Sequence, residues 1–182
     1  MSALLAELTV HVSAFLALLL VASVIHKWLD RTRLAISAAR LSGLDDMSGI
    51  NDRAGGMLLL ASATLEITAA IALLVPSIRV IGAIVAATVW GIYLLLILRA
   101  IRAGMKDIDC GCSFGRKQTP LGSFQIMRNL ALVFTALAVT AGTMVVGTTS
   151  MGLLALISGL TLLVIYVVCD QIGTSLQTGF SS

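Results

Sequence analysis

Residues 80–98 read VIGAIVAATVWGIYLLLIL, an unbroken apolar run from Val80 to Leu98 with no charged side chain and no proline. About 20 such residues, rising 1.5 Å each, cross roughly 30 Å of hydrocarbon as an α-helix. The run is continuous and does not alternate, which excludes a β-barrel strand, and a helix is the one single segment that satisfies its own backbone in lipid. The stretch is therefore a spanning helix.

Working outward, four more stretches approach this length: Leu4 to Ile25, Met57 to Val75, Asn129 to Val146 and Met151 to Val168. Turn chemistry separates them. Val75-Pro76-Ser77 follows the second span, Thr119-Pro120-Leu121-Gly122 precedes the fourth, and Gly147-Thr148-Thr149-Ser150 precedes the fifth. The fold class expected is all-α, a polytopic integral membrane helix bundle of five spans, with four as the alternative count. Residues 1–182 form one transmembrane domain, with a Cys-Gly-Cys loop at 99–128. The first stretch is read as a helix and not as a cleaved signal peptide, because it carries Glu7 in place of a basic start and its apolar run exceeds an h-region.

Composition agrees. Of 182 residues, 58% are hydrophobic and 12% charged, against roughly 25% charged in soluble domains. The mean hydropathy of +1.03 leaves no room for a separate soluble domain. Sixteen Gly with two Pro is no collagen signature, and three Cys do not staple a secreted module. No internal repeat is visible.

The net charge of +3 matters less than its placement. The first loop holds Lys27, Arg31, Arg33, Arg40 and Arg53. The third holds Arg99, Arg102, Lys106, Arg116, Lys117 and Arg128, leaving only Arg79 between spans two and three. Eleven cations against one place both basic loops in the cytoplasm, the N-terminus outside and the C-terminus inside. The expected location is the inner membrane, with the lipid bilayer as a partner and no nucleic acid.

The most informative polar segment is Asp109-Cys110-Gly111-Cys112-Ser113-Phe114-Gly115 in the third loop. Cysteines one residue apart close a small, strained disulfide that exchanges readily, and Gly111 relaxes the backbone for closure. Lys106, Arg116 and Lys117 favour thiolate. Cys110 and Cys112 are thus a candidate redox pair, the alternative being two unremarkable loop thiols. Cys169, at the end of span five on the same face, is either a relay for that pair or an apolar filler. His26, on that face too, is a candidate base. Three thiols with His26 also have the ligand types of a tetrahedral metal site, but their spacing fits no zinc pattern, so neither metal nor cofactor is expected.

Glu66 lies in the middle of span two, where an ionisable group costs at least about 2.5 kcal/mol and normally faces the bundle interior. Helical spacing puts Ser62, Ala63, Ala69 and Ala70 beside it, a small-residue stripe that admits a neighbouring helix. Glu66 is either a structural hydrogen-bonding group or a proton acceptor, with His11 as a candidate partner. Arg128-Asn129 and His26-Lys27-Trp28 read as interfacial anchors.

Taken together, the first span closing on His26-Lys27, the mid-span Leu65-Glu66-Ile67, Ile108-Asp109-Cys110-Gly111-Cys112 and Arg128-Asn129 resemble the methylamine-utilisation MauE family, related to DoxX-like membrane proteins. The resemblance runs over nearly the whole chain. The family motif usually reads Asp-Cys-Gly-Cys-Phe-Gly; here Ser113 separates Cys112 from Phe114, which alters the turn after the pair and keeps the pair itself.

This resemblance implies a role in maturation of the exported, disulfide-rich small subunit of methylamine dehydrogenase, beside a thioredoxin-like protein of the MauD type. Only Cys110 and Cys112 inherit the redox role from it. The expectation is a membrane thiol–disulfide redox protein, a candidate thiol–disulfide oxidoreductase. Against it stand a non-catalytic anchor for the thioredoxin-like partner and a small-solute transporter using Glu66. The implied client is periplasmic whereas the charge count puts the pair on the cytoplasmic face, where thiols are kept reduced. The pair would then pass reducing equivalents across the membrane.

Overall fold

The computed structural model describes residues 2–41, 51–104, 123–146 and 152–179, all of them helical apart from short turns. Helix α1 spans Ser2–Leu29, α2 Arg31–Leu41, α3 Asn51–Leu74, α4 Arg79–Arg102, α5 Ser123–Val146 and α6 Leu153–Gly179, with a single 3₁₀ turn at Pro76–Ile78. Among the described residues, five helices are long and apolar enough to cross a membrane: Ala3–Leu29, Ala54–Leu74, Pro76–Arg102, Ser123–Val145 and Leu153–Gly173. At one end or both, each runs past the apolar stretch that announces it, because polar residues there still continue the helix.

Helix α1 sits at the middle of the bundle, against α3, α5 and α6, while α3, α4 and α5 pack in sequence order around it. Helix α6 rests on α1 and only grazes α5. Small residues dominate the interior. Ala69 and Ala70 of α3, Ala83 and Ala86 of α4 and Ala136 of α5 are buried together with Leu16, Leu20 and Leu73. Large aliphatic side chains such as Leu95, Val145 and Leu154 point outward. Lipid tails are as apolar as leucine, so close backbone approach and not sequestration of large side chains drives helix association here. At Gly82 an added Cβ would lie 2.5 Å from the backbone nitrogen of Leu73, so only glycine lets α4 come this close to α3.

Hydroxyls along the outer faces return their protons to their own helices. Thr64 donates to the Leu60 carbonyl, Thr68 to Thr64, Thr88 to Ile84, Thr135 to Ala131 and Thr161 to Ile157, each at 2.8–3.0 Å. This internal satisfaction is what membrane burial demands of a polar group with no water nearby.

Helix α2 was not foreseen. It follows α1 after a turn at Asp30 and packs along the start of α3, burying Leu34. Its apolar residues are too few for a span, so the hydropathy reading left it inside the first loop. Successive long helices alternate in direction. The end of α1, all of α2, the start of α3, the end of α4, the start of α5 and the end of α6 therefore share one pole of the bundle. The α3–α4 turn and the α5–α6 connection share the other.

Candidate functional site

Two buried ion pairs occupy the half of the bundle nearest the pole that carries α2. The first joins α1, α3 and α4. Lys27 Nζ lies 2.7 Å from Glu66 Oε1, with side-chain exposures of 4% and 1%. Tyr93 Oη donates to Glu66 Oε1 at 2.7 Å and accepts from Lys27 Nζ at 2.5 Å. Ser23 Oγ donates to Oε1 at 3.2 Å, and Lys27 also donates to Ser62 Oγ at 3.2 Å. The ammonium further lies 4.8 Å from the centre of the Tyr93 ring.

Helical spacing explains the assembly. Ser23 and Lys27 are one turn apart on α1, as are Ser62 and Glu66 on α3, so the two facing pairs interlock when the small-residue stripe brings α3 onto α1. All three protons of the Lys27 ammonium have acceptors: a carboxylate, a phenol and a hydroxyl. Glu66 is asymmetric. Its Oε1 accepts from Lys27, Tyr93 and Ser23, while its buried Oε2 has no partner among the described residues. Oε2 is therefore the one oxygen of this carboxylate that still offers a hydrogen-bond acceptor to the interior.

The second pair joins α5 and α6. Arg128 Nη1 lies 2.7 Å from Asp170 Oδ1, both side chains buried. Asn129, also buried, donates through Nδ2 to the Gln125 carbonyl at 2.9 Å. Between the two pairs lies a cavity of about 20 Å³ bounded by Ser23, Trp90, Tyr93, Arg128, Asn129 and Tyr166. Its size admits about one water molecule.

Several sequence readings change here. Lys27 and Arg128 are not interfacial anchors: each turns inward to a buried carboxylate, because an unshielded acid in the bundle would cost more than ordering the cation. Trp28 does remain outward, 64% exposed. His11 does not meet Glu66; its Nδ1 lies 2.5 Å from Ser158 Oγ and ties α1 to α6. Arg79, counted from sequence as the lone outer charge, is buried, and its Nε donates to the Leu73 carbonyl at 3.2 Å.

Glu66 is inward, as its stripe implies. His26 sits one helical turn from Asp30, with Nδ1 4.0 Å from Oδ2, outside the Glu66 cluster. Cys169 is an exposed free thiol on α6, next in sequence to the buried Asp170. Cys110 and Cys112 lie outside the described residues. The helices that carry the loop ends are defined: α4 closes with Gly104 at φ 72°, its amide donating to the Ile101 carbonyl at 3.1 Å. That is a left-handed glycine cap of the kind that ends helices sharply. Among the described residues no group of three or more His, Cys, Asp or Glu could hold a metal ion.

Tyr93 and Asp170 were missed. The signal for Asp170 was a lone acid near the end of the last span facing a lone Arg near the start of the preceding one. For Tyr93 it was a mid-span phenol, which needs a partner in lipid.

The family model described as methylamine utilisation protein MauE matches residues 4–142, more than half of the chain. The chain belongs to the MauE family. Two curated MauE proteins are similar to it. The one from Methylophilus methylotrophus is 39% identical over 111 residues, covering 58% of this chain and 57% of that protein. The one from Paracoccus denitrificans is 27% identical over 124 residues, covering 67% of each. The chain thus aligns with little more than half the length of the first relative. No solved structure matches. The match holds four of the five long helices and both partners of the Lys27–Glu66 pair; α6 with Asp170 and Cys169 lies beyond it.

Proposed function

We propose that this MauE-family membrane protein carries out thiol–disulfide exchange in support of methylamine utilisation. Its redox pair is Cys110 and Cys112, its partner a thioredoxin-like protein of the MauD type, and its client the exported small subunit of methylamine dehydrogenase. The observation that carries the reading is where the loop is rooted. The segment containing Cys110-Gly111-Cys112 begins after the cap of α4 and ends at α5, at the pole nearest the two buried ion pairs.

In the exchange, the thiolate of one cysteine attacks the partner's disulfide and forms a mixed disulfide. The second thiolate then releases the partner as a dithiol, leaving a Cys110–Cys112 disulfide. Two electrons pass to the partner, and the two protons lost by the pair end on its thiols. The pair is re-reduced by cytoplasmic dithiols of the thioredoxin class, which is consistent with the loop on the cytoplasmic face of the inner membrane. With Lys27, Arg79 and Arg128 buried, the remaining cations all belong to the two basic loops, which supports that orientation. Cys169, exposed near the same pole, is a candidate relay thiol, and Glu66, through its open Oε2, a candidate proton acceptor.

That open oxygen also favours a second reading, proton-linked movement of a small solute. The experiment separates them. Cys110→Ser and Cys112→Ser are expected to abolish disulfide maturation of the small subunit, and membrane-impermeant thiol reagents should label the pair only after the cytoplasmic face is opened. Normal maturation in both variants would overturn the redox reading in favour of an anchor. Loss of methylamine-dependent growth in Glu66→Gln with the cysteine variants unaffected would favour transport.

A further inference from the structure

A groove of about 400 Å³ opens on the outside of the bundle where α1, α2 and α3 meet. Its wall is aliphatic, formed by Val24 from α1, Ile36 from α2 and Leu59 and Leu60 from α3. Its mouth is polar, with Trp28, Arg31 and Thr32 at the junction of α1 and α2. Lys27 also lines it, but its ammonium is committed to Glu66, Tyr93 and Ser62.

Among the described residues, the charges at the mouth leave one cation over. Asp30, the adjacent acid, is held by Arg33 at 3.0 Å and lies 4.0 Å from His26. Arg31 is exposed, and neither it nor Thr32 has an ion pair or side-chain hydrogen bond among the described residues. The indole of Trp28 likewise makes none, and indoles at helix ends sit at headgroup depth. A guanidinium without a partner among the described residues, a hydroxyl and an indole N–H therefore stand together at the mouth of an apolar trough on the outer side of the bundle.

From this arrangement we infer that the groove is a binding site for an anionic phospholipid, with one acyl chain lying between α2 and α3 and the phosphate held by Arg31 and Thr32. Two features select this occupant. The trough opens sideways into the bilayer, so its ligand arrives from the membrane. The surplus positive charge at its mouth prefers an anionic headgroup to a zwitterionic one. The bound lipid completes the packing of α2, which otherwise meets α1 only at their junction, and it ties the first basic loop to the membrane surface.

The test is native mass spectrometry of the full chain, equilibrated in detergent with equal amounts of phosphatidylglycerol and phosphatidylcholine. The unmodified protein should retain one phosphatidylglycerol in preference. Arg31→Ala should lower that preference about fivefold, whereas Arg99→Ala, which removes an exposed cation at the same pole but outside the groove, should leave it unchanged. Ala35→Phe, which fills the trough, should lose the lipid altogether, with circular dichroism checking that the helices persist. Phosphatidylglycerol retained equally by Arg31→Ala and the unmodified chain would overturn the site. Displacement of the lipid by excess inorganic phosphate would also overturn it, since the acyl chain would then contribute nothing.

Discussion

The two ion pairs are chemically alike, each a cation and a carboxylate 2.7 Å apart and nearly out of reach of solvent, yet their surroundings differ. Lys27–Glu66 is embedded in three helices and shares its charge with a phenol and two hydroxyls. Arg128–Asp170 bridges α5 and α6, two helices that scarcely touch otherwise. The first is a network inside the most tightly packed part of the molecule; the second is a clasp between one well-packed helix and one peripheral one. A buried pair of the first kind is costly to break and leaves a carboxyl oxygen available for chemistry. A pair of the second kind governs where a helix stands.

The contrast is broken most forcefully by Lys27→Met. It leaves Glu66 buried without its cation and is expected to destabilise the bundle by about 3–5 kcal/mol, seen as a large fall in thermal unfolding temperature in detergent. Adding Glu66→Leu should recover most of the loss, because an apolar pair of similar volume is tolerated where a single unmatched charge is not. A double variant no more stable than Lys27→Met would mean that the network does not act as a unit.

Asp170→Asn should cost about 2 kcal/mol and act locally. Hydrogen exchange is expected to rise along the second half of α6 while α3 and α4 stay protected. Uniform loosening of all helices would erase the distinction between network and clasp. Tyr93→Phe removes one shared hydroxyl and should cost about 1 kcal/mol; infrared difference spectra should show the Glu66 carboxylate band moving, a response that a merely packed ring would not give. Ser23→Ala, which deletes the longest contact to Oε1, should cost roughly 0.6 kcal/mol and shift the same band less.

The spans were legible because the signal that makes them helices is local: a run of apolar residues of bilayer length, bounded by turn residues. Glu66 was legible for the same reason, since Ala69 and Ala70 lie one turn away and define its face without reference to any other helix. Its partner was not. Lys27 stands 39 positions earlier at the end of an apolar run, where the physics of a long flexible cation allows it to snorkel outward or to turn inward. Only the packing of α3 on α1 decides between the two. Arg128 and Asp170, 42 positions apart, were hidden likewise. Helix α2 escaped because an amphipathic helix needs a surface to lie on, and that surface is α3, whose start follows it in the chain.

Arg79 has a consequence for biogenesis. Its guanidinium caps the end of α3 by donating to the Leu73 carbonyl, yet it is the first residue of α4. A ribosome therefore completes α3 before the group that satisfies its last turn exists. Exposed carbonyls at the leading tip of α3, and a bare arginine at the tip of α4, would each resist passage through hydrocarbon. Folded back on each other, with Gly82 letting the backbones touch, the two neutralise one another's cost. Each helix end is thus satisfied only by the other, so that α3 and α4 are complete as a helical hairpin and not singly.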